Sequence, residues 1–168
     1  MDKLDFPGVV LTCTAEVLVV YSQQPLTVLS SAVVGGGMVC VRYLLNRHVH
    51  HDYNCLDPVT DLSAFARRQG IGEAFVGQMT AVSLQKARAI TLRAEAITVA
   101  AVLTAGLSNA TTSGLSAPVT PGPGTINMIL LIDAYLTPAA MVHAVITATE
   151  VKTQVLMARS VRLSLIHI

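Results

Sequence analysis

Tryptophan is absent from this chain and aromatic residues fill only 4% of its 168 positions, so its core has to be built from Val, Leu, Ile and Ala. Charge is scarce as well. Charged residues total 12%, the formal net charge is +1, and no basic cluster exists beyond Arg67-Arg68, which removes the electrostatic case for nucleic acid. The cysteines, Cys13, Cys40 and Cys55, are odd in number and lack C-x-x-C spacing; they suit a reducing cytoplasm better than a disulfide framework or a zinc site. Residues Met1 to Pro7 lack the basic-then-apolar order of a signal peptide. No charge occurs between Glu95 and Asp133, yet Gly106, Ser108, Asn109 and a run of Pro and Gly interrupt that stretch. A spanning helix needs about twenty mostly apolar residues, so no membrane span is expected. Also missing are the phosphate-loop order after Gly35-Gly36-Gly37, a G-x-S-x-G elbow, a Cys–His nucleophile pattern and an H-E-x-x-H helix.

What is present is a sequence 52% apolar, long enough for one domain with a substantial core. Val9 to Tyr21 reads as two short strands, Gln23-Gln24-Pro25 as a turn and Leu26 to Leu29 as a further strand. Met38 to Val49 fits a helix, with Val39, Tyr43 and Leu44 on one face. His48, His50, His51 and Asp52 follow at its end. On a helix their side chains diverge, so they read as a solvated terminus and no metal is expected. A helix ending at Gly70 is predicted after Asp57-Pro58, capped by Thr60 or Asp61 and packed through Leu62, Phe65 and Ala66. Phe75 to Val82 reads as a strand, Ser83 to Arg88 as a helical turn, and Ala89 to Arg93 with Ile97 to Leu107 as a strand pair.

The stretch from Gly124 to Lys152 organises the rest. Met128 to Ile132 is a continuous apolar run, which suits a strand covered on both faces. Thr137 and Pro138 read as N-cap and first position of a helix. Helical spacing aligns His143, Thr147, Glu150 and Gln154 in a polar stripe, with Met141, Ala144, Val145, Ala148, Val151 and Val155 mostly opposite. The expected architecture is a layered single α/β domain, a mainly antiparallel or mixed sheet covered by helices near 39–49, 60–69 and 138–158.

Several blocks together resemble the adenosylcobinamide amidohydrolase family. They are Leu29-Ser30-Ser31-Ala32 with Gly35-Gly36-Gly37, then Asn46 and Val49 with Tyr53, then Val76-Gly77-Gln78-Met79-Thr80-Ala81. Further on come Gly106-Leu107-Ser108-Asn109-Ala110, Gly124-Thr125-Ile126-Asn127, and Ile146 to Thr153. They keep the family's order from Leu29 to Lys152. The family has Pro where His50 stands, so the histidines find no counterpart. The domain is expected over residues 1–162, truncated at its C-terminus, with 163–168 a non-native tail.

The resemblance implies an enzyme of cobalamin salvage. It would be an amide hydrolase acting on a linear amide, the one joining aminopropanol to the corrin side chain of adenosylcobinamide, and would release adenosylcobyric acid. The corrinoid is then substrate, and no cofactor is expected. Amide hydrolysis needs an attacking group, a base and donors for the oxyanion. Glu150 is the base candidate, an isolated carboxylate beside Thr149 and one turn from Thr147, in surroundings expected to be of low polarity. Thr125 or Ser31 could attack or could bind substrate amides; Asn109 and Asn127 could serve the oxyanion or a carboxamide. The catalytic set is therefore Glu150, Thr125 and Thr149, and the substrate-binding set Ser30, Ser31, Gly35, Gly36, Gly37, Asn46, Asn109, Asn127 and Lys152. These small polar runs are expected to line one concavity. A non-catalytic corrinoid or small-ligand binder, and a homo-oligomer paired through its apolar sheet, remain open.

Overall fold

The structure, a computed structural model, describes residues 4–106 and 126–159. Four strands, β1 (Val9–Cys13), β2 (Val17–Ser30), β3 (Gly37–His48) and β4 (Phe75–Thr80), form one sheet in that order. β5 (Arg88–Ala94), β6 (Ile97–Ala105) and β7 (Ile126–Ile132) form a second, antiparallel sheet. Helix α1 (Pro58–Arg68) connects β3 to β4, and α2 (Pro138–Ala158) follows β7. The layered α/β class holds, with the strands divided between two sheets.

One face of the first sheet packs on the second. Leu18, Val20, Val41, Leu44 and Val76 meet Leu84, Ala87, Ala89, Ala100, Val102 and Leu131 in a continuous core. The other face carries α1: Leu62, Phe65 and Ala66 pack on Val17, Leu45 and Phe75. β3 and β4 run parallel, and α1 spans the crossover that a parallel pair needs. Gly77 makes that helix contact close, since a Cβ there would lie 2.6 Å from Leu62 Cδ2 and 2.8 Å from Phe75 Cε2.

Two expected elements change. Met38 to Val49 is not a helix: Met38 to His48 lies within β3, paired with β2 on one side and β4 on the other, and Val49 follows its end. Val39, Val41, Tyr43 and Leu45 satisfy a period of two as well as Val39, Tyr43 and Leu44 satisfy a helix, and pairing on both edges decides for β-branched residues. Gln23-Gln24-Pro25 is not a turn between strands but a bulge inside β2, between the Tyr21↔Tyr43 and Leu26↔Val41 pairs. Pro25 cannot donate to a ladder, so a bulge accommodates it. Across Arg42 the side-chain alternation of β3 flips, and Val39 and Val41 share the inter-sheet core with Leu44.

The α1 cap is Asp57, whose Oδ1 accepts from Thr60 N at 3.0 Å, rather than Thr60 or Asp61. Asp61 is used elsewhere. Its Oδ2 accepts from Arg47 Nη1 at 2.7 Å and from the Tyr53 hydroxyl at 2.8 Å, while the Arg47 guanidinium lies 4.5 Å from the centre of the Phe65 ring. The Tyr53 hydroxyl, and less so Arg47, hold the Asp61 carboxyl below its ordinary range against an opposing push from burial. Burial, with that carboxylate beside it, pushes the Tyr53 phenol well up. This cluster fastens residues 49–57 and α1 to the sheet.

On α2, Thr137 Oγ1 accepts from Ala140 N at 3.3 Å and Pro138 opens the helix, as expected. His143, Thr147, Glu150 and Gln154 are exposed, but so are Val145, Val151 and Val155. The half-buried side is different: Ala140, Met141, Ala144, Ala148, Thr149, Lys152, Thr153 and Leu156. β7 is less fully covered than expected, with Met128, Ile129 and Ile132 half-buried. Leu131 is buried, whereas Leu130 is 37% exposed. Among the described residues no helix is long and apolar enough to cross a membrane. The proposed boundary at 162 lies outside the described residues.

Gly77→Ala should cost about 1–3 kcal/mol, the range for overpacking, whereas Gly72→Ala, with nothing within 4 Å of its Cβ position, should be close to neutral. Urea midpoints of the two variants check this. Asp61 contributes stability above its ordinary pKa of 3.8, and this contribution is lost as pH falls through its depressed value. The stability gap between wild type and Asp61→Asn should therefore be constant near neutrality and close with falling pH below that range. A gap that stays constant down to pH 2 would contradict the ion-pair role.

Candidate functional site

β4 is where the dispersed sequence blocks meet. On one edge, Asn46 of β3 pairs in register with Gln78. On the other edge Val34 bridges Gly77, with Gly77 N donating to Val34 O at 2.8 Å and Val34 N to Gly77 O at 3.2 Å. This bridge lays Gly35 against β4. Its φ is +73°, and a Cβ would stand 2.7 Å from the Phe75 carbonyl oxygen, so the position requires glycine on both counts. From the second sheet, Thr104 of β6 and Asn127 of β7 lie directly opposite one another and face β3 and β4.

The polar contacts between the sheets have a fixed direction. Asn127 Nδ2 lies 2.8 Å from the Met79 carbonyl oxygen and 2.9 Å from Asn46 Oδ1. A carbonyl only accepts, so the Asn127 atom facing it is the amide nitrogen, and both its hydrogens are used within the protein. Asn46 must then present oxygen to Asn127 and nitrogen to Thr104, whose Oγ1 accepts at 3.0 Å. Asn46 and Thr104 are 3% and 2% exposed. Thr80, fully buried, accepts from Val82 N through its hydroxyl oxygen, and His48 Nδ1 donates to the Val82 carbonyl at 3.2 Å. Beside them the side chain of Gln78 buries an Oε1 without a hydrogen-bond partner. Among the described residues no group donates to Asn127 Oδ1, an acceptor.

This geometry sorts the expected residues. Asn46 and Asn127 come together, but Asn46 is closed off and acts by orienting Asn127. Asn127 loses its suggested oxyanion role, because its donors are spent. Ser30 Oγ accepts from Ala32 N at 2.9 Å, a local turn contact, and Ser31 is exposed. Gly35 lines an open concavity of about 610 Å³ together with Val39, Cys40, Ser63, Arg67 and Phe75. That concavity does not include Asn46, Asn127, Thr149, Glu150 or Lys152; Gly36 and Gly37 are exposed and outside it. Thr149 is half-buried and its carbonyl accepts from Thr153 Oγ1 at 2.8 Å. Glu150 is exposed on α2, so the low-polarity surroundings expected for it are absent. Lys152 is half-buried, and burial lowers the pKa of its ammonium; no carboxylate among the described residues pairs with it. Asn109 and Thr125 lie outside the described residues. Sequence reading quoted Gln78 and Thr80 within a motif without giving them a role, and Thr104 carried no signal except its place opposite Asn127.

The profile of a family described as adenosylcobinamide amidohydrolase matches residues 7–165. A protein of Methanosarcina mazei named adenosylcobinamide amidohydrolase is 35% identical over 122 residues, covering 73% of this chain and 56% of that relative. The chain thus spans little more than half the length of the curated relative it matches. No solved structure matches the chain.

Asn127→Ala should cost about 1–3 kcal/mol by leaving Asn46 Oδ1 and the Met79 carbonyl without donors. Asn127→Asp should cost more at pH 7, since it sets acceptors against acceptors. Its deficit relative to wild type should shrink as pH falls toward the ordinary aspartate range, about 3.9, because protonation restores one donor and acceptors facing the carboxyl raise its pKa in the folded state. Unfolding curves at pH 7 and pH 3.5 measure this; an Asn127→Asp variant as stable as wild type at pH 7 would refute the assigned direction.

Proposed function

Because this chain belongs to the adenosylcobinamide amidohydrolase family, we propose that it hydrolyses the amide joining aminopropanol to the corrin side chain of adenosylcobinamide. Water adds to the carbonyl, the C–N bond breaks, and the products are adenosylcobyric acid and aminopropanol, the amine taking up a proton. The observation that supports this reading is the convergence on β4 of blocks that lie as far apart as Val34 and Asn127. A corrinoid is fringed with carboxamides, and Asn127 Oδ1 suits such a group by accepting one of its N–H bonds.

Glu150 is the base in this proposal. It is the only carboxylate between Asp133 and the end of the chain, and it would act from a solvated helix face rather than from an apolar pocket. Thr149 and Thr125 complete the catalytic set, with Thr125 attacking or binding the substrate. Lys152 suits an anionic or oxyanion partner, because a half-buried ammonium gains from a nearby negative charge. The three cysteines are free, as a cytoplasmic setting would have them.

Incubating the protein with adenosylcobinamide and resolving corrinoids by chromatography tests the activity. Adenosylcobyric acid should form, and Glu150→Gln should lower turnover by about 10²–10⁴, the span of general-base catalysis, with corrinoid binding little changed. Bound corrinoid without product would favour the binding-domain reading; turnover near wild type in Glu150→Gln would remove Glu150 from the mechanism.

A further inference from the structure

Two grounds speak against a metal in the sequence, side chains diverging on a helix and the lack of a second ligand cluster; the first does not apply, because β3 stands in place of the helix. Residues 49–53 instead leave the end of β3 and enter a turn closed by Tyr53 N donating to the His50 carbonyl at 2.9 Å. Within that turn His50, His51 and Asp52 each present one donor atom, all within 4.8 Å of one another. Asp52 Oδ2 lies 3.4 Å from His50 Nδ1, and Asp52 Oδ1 lies 3.2 Å from His51 Nε2. Donors on one tetrahedral ion with bonds of about 2.0–2.1 Å stand roughly 3.3 Å apart; each imidazole already lies at about that distance from one Asp52 oxygen, and side-chain adjustment brings both to a shared ion.

We propose that the His50–His51–Asp52 turn is a binding site for one late first-row divalent cation, Zn²⁺, Ni²⁺ or Cu²⁺. Two imidazoles and a carboxylate are the donor set such ions take, and they leave coordination positions open. His50 Nδ1 accepts a hydrogen bond from Asp52 N at 3.3 Å, so it is unprotonated, and an ion bound there takes the place of that hydrogen bond. His48 is excluded, because its Nδ1 donates to the Val82 carbonyl. The turn is held on both sides. Before it, His48 N bonds to the Glu16 carbonyl at 2.8 Å and Val49 N to the Thr80 carbonyl at 2.9 Å. After it, the Tyr53 hydroxyl is tied to Asp61. Only side-chain rotamers remain to be ordered when an ion binds. All three side chains are at least 70% exposed, so the ion can enter freely and affinity is limited by that ordering.

Isothermal titration of the metal-free protein with ZnCl₂ and with NiCl₂ tests this. One equivalent should bind saturably in wild type. His51→Ala and Asp52→Ala should each weaken binding at least about tenfold, the lower bound seen even for outer-sphere partners. His143→Ala, a change at an exposed histidine on α2, should leave it unchanged. Because all these positions are exposed, the variants keep the fold. Absence of saturable binding in wild type, or the same affinity and stoichiometry in His51→Ala and Asp52→Ala, would overturn the site. Neither result bears on amide hydrolysis.

Discussion

The contact on which the two-sheet arrangement turns is the Asn127 amide between Met79 and Asn46. Apolar packing would allow the second sheet to slide on the first, because dispersion and burial carry no direction. The amide does not allow it. Asn127 can satisfy both acceptors in one register only, and a one-residue slip of β7 would turn it away from the first sheet and bring an apolar neighbour to face the Met79 carbonyl. An unpaired buried acceptor costs about 1–3 kcal/mol, enough to choose among packings of similar apolar area. The direction of donation then propagates from Met79 through Asn127 and Asn46 to Thr104 without a free choice at any step.

Much of this was legible in the chain, and the reasons for the exceptions are local. Thr137-Pro138 announced α2, since capping chemistry is carried by neighbouring residues, whereas the cap of α1 is Asp57 and not the expected Thr60 or Asp61. Leu62, Phe65 and Ala66 were correctly placed facing inward because their spacing admits only the helical period. β3 was misread, because Val39-Cys40-Val41-Arg42-Tyr43-Leu44 fits both periods and its two partner strands are distant in sequence. Asn46 and Asn127 were both legible as site candidates, but not their contact, which joins residues 81 positions apart. Reading β3 as a helix also set its terminal histidines apart, whereas His50, His51 and Asp52 lie in a turn with donor atoms within 4.8 Å of one another. Side chains that diverge on a helix are brought together by a turn.

Apolar surface is distributed unevenly. Between the sheets and under α1 it is buried, with Leu18, Leu45, Leu62 and Val20 at 1% exposure or less. On the far side of the second sheet Ile90, Leu92 and Ile97 are each about half exposed or more, and Val142, Val145, Ile146, Val151 and Val155 on α2 are similar. Helical periodicity identified the polar stripe of α2 correctly. It could not report that the opposite side is so thinly covered, because amphipathicity specifies which face seeks burial and not whether a partner is supplied.

The buried amide chain also constrains what chemistry the inter-sheet site can perform. An oxyanion needs donors aimed at the developing charge; of the two asparagines suited to this, Asn109 lies outside the described residues and Asn127 has no N–H left free. Both hydrogens of Asn127 are engaged, and Asn46 is buried with its nitrogen turned to Thr104. Polarity therefore divides the site residues: the asparagine pair offers an acceptor, while the half-buried Lys152 and exposed Glu150 are carried on α2. A carboxamide has an N–H face and a carbonyl face. In the proposed function, Asn127 on the sheets would meet the N–H face of such a group and Lys152 on the helix its carbonyl face, so the two roles would not compete for the same atom.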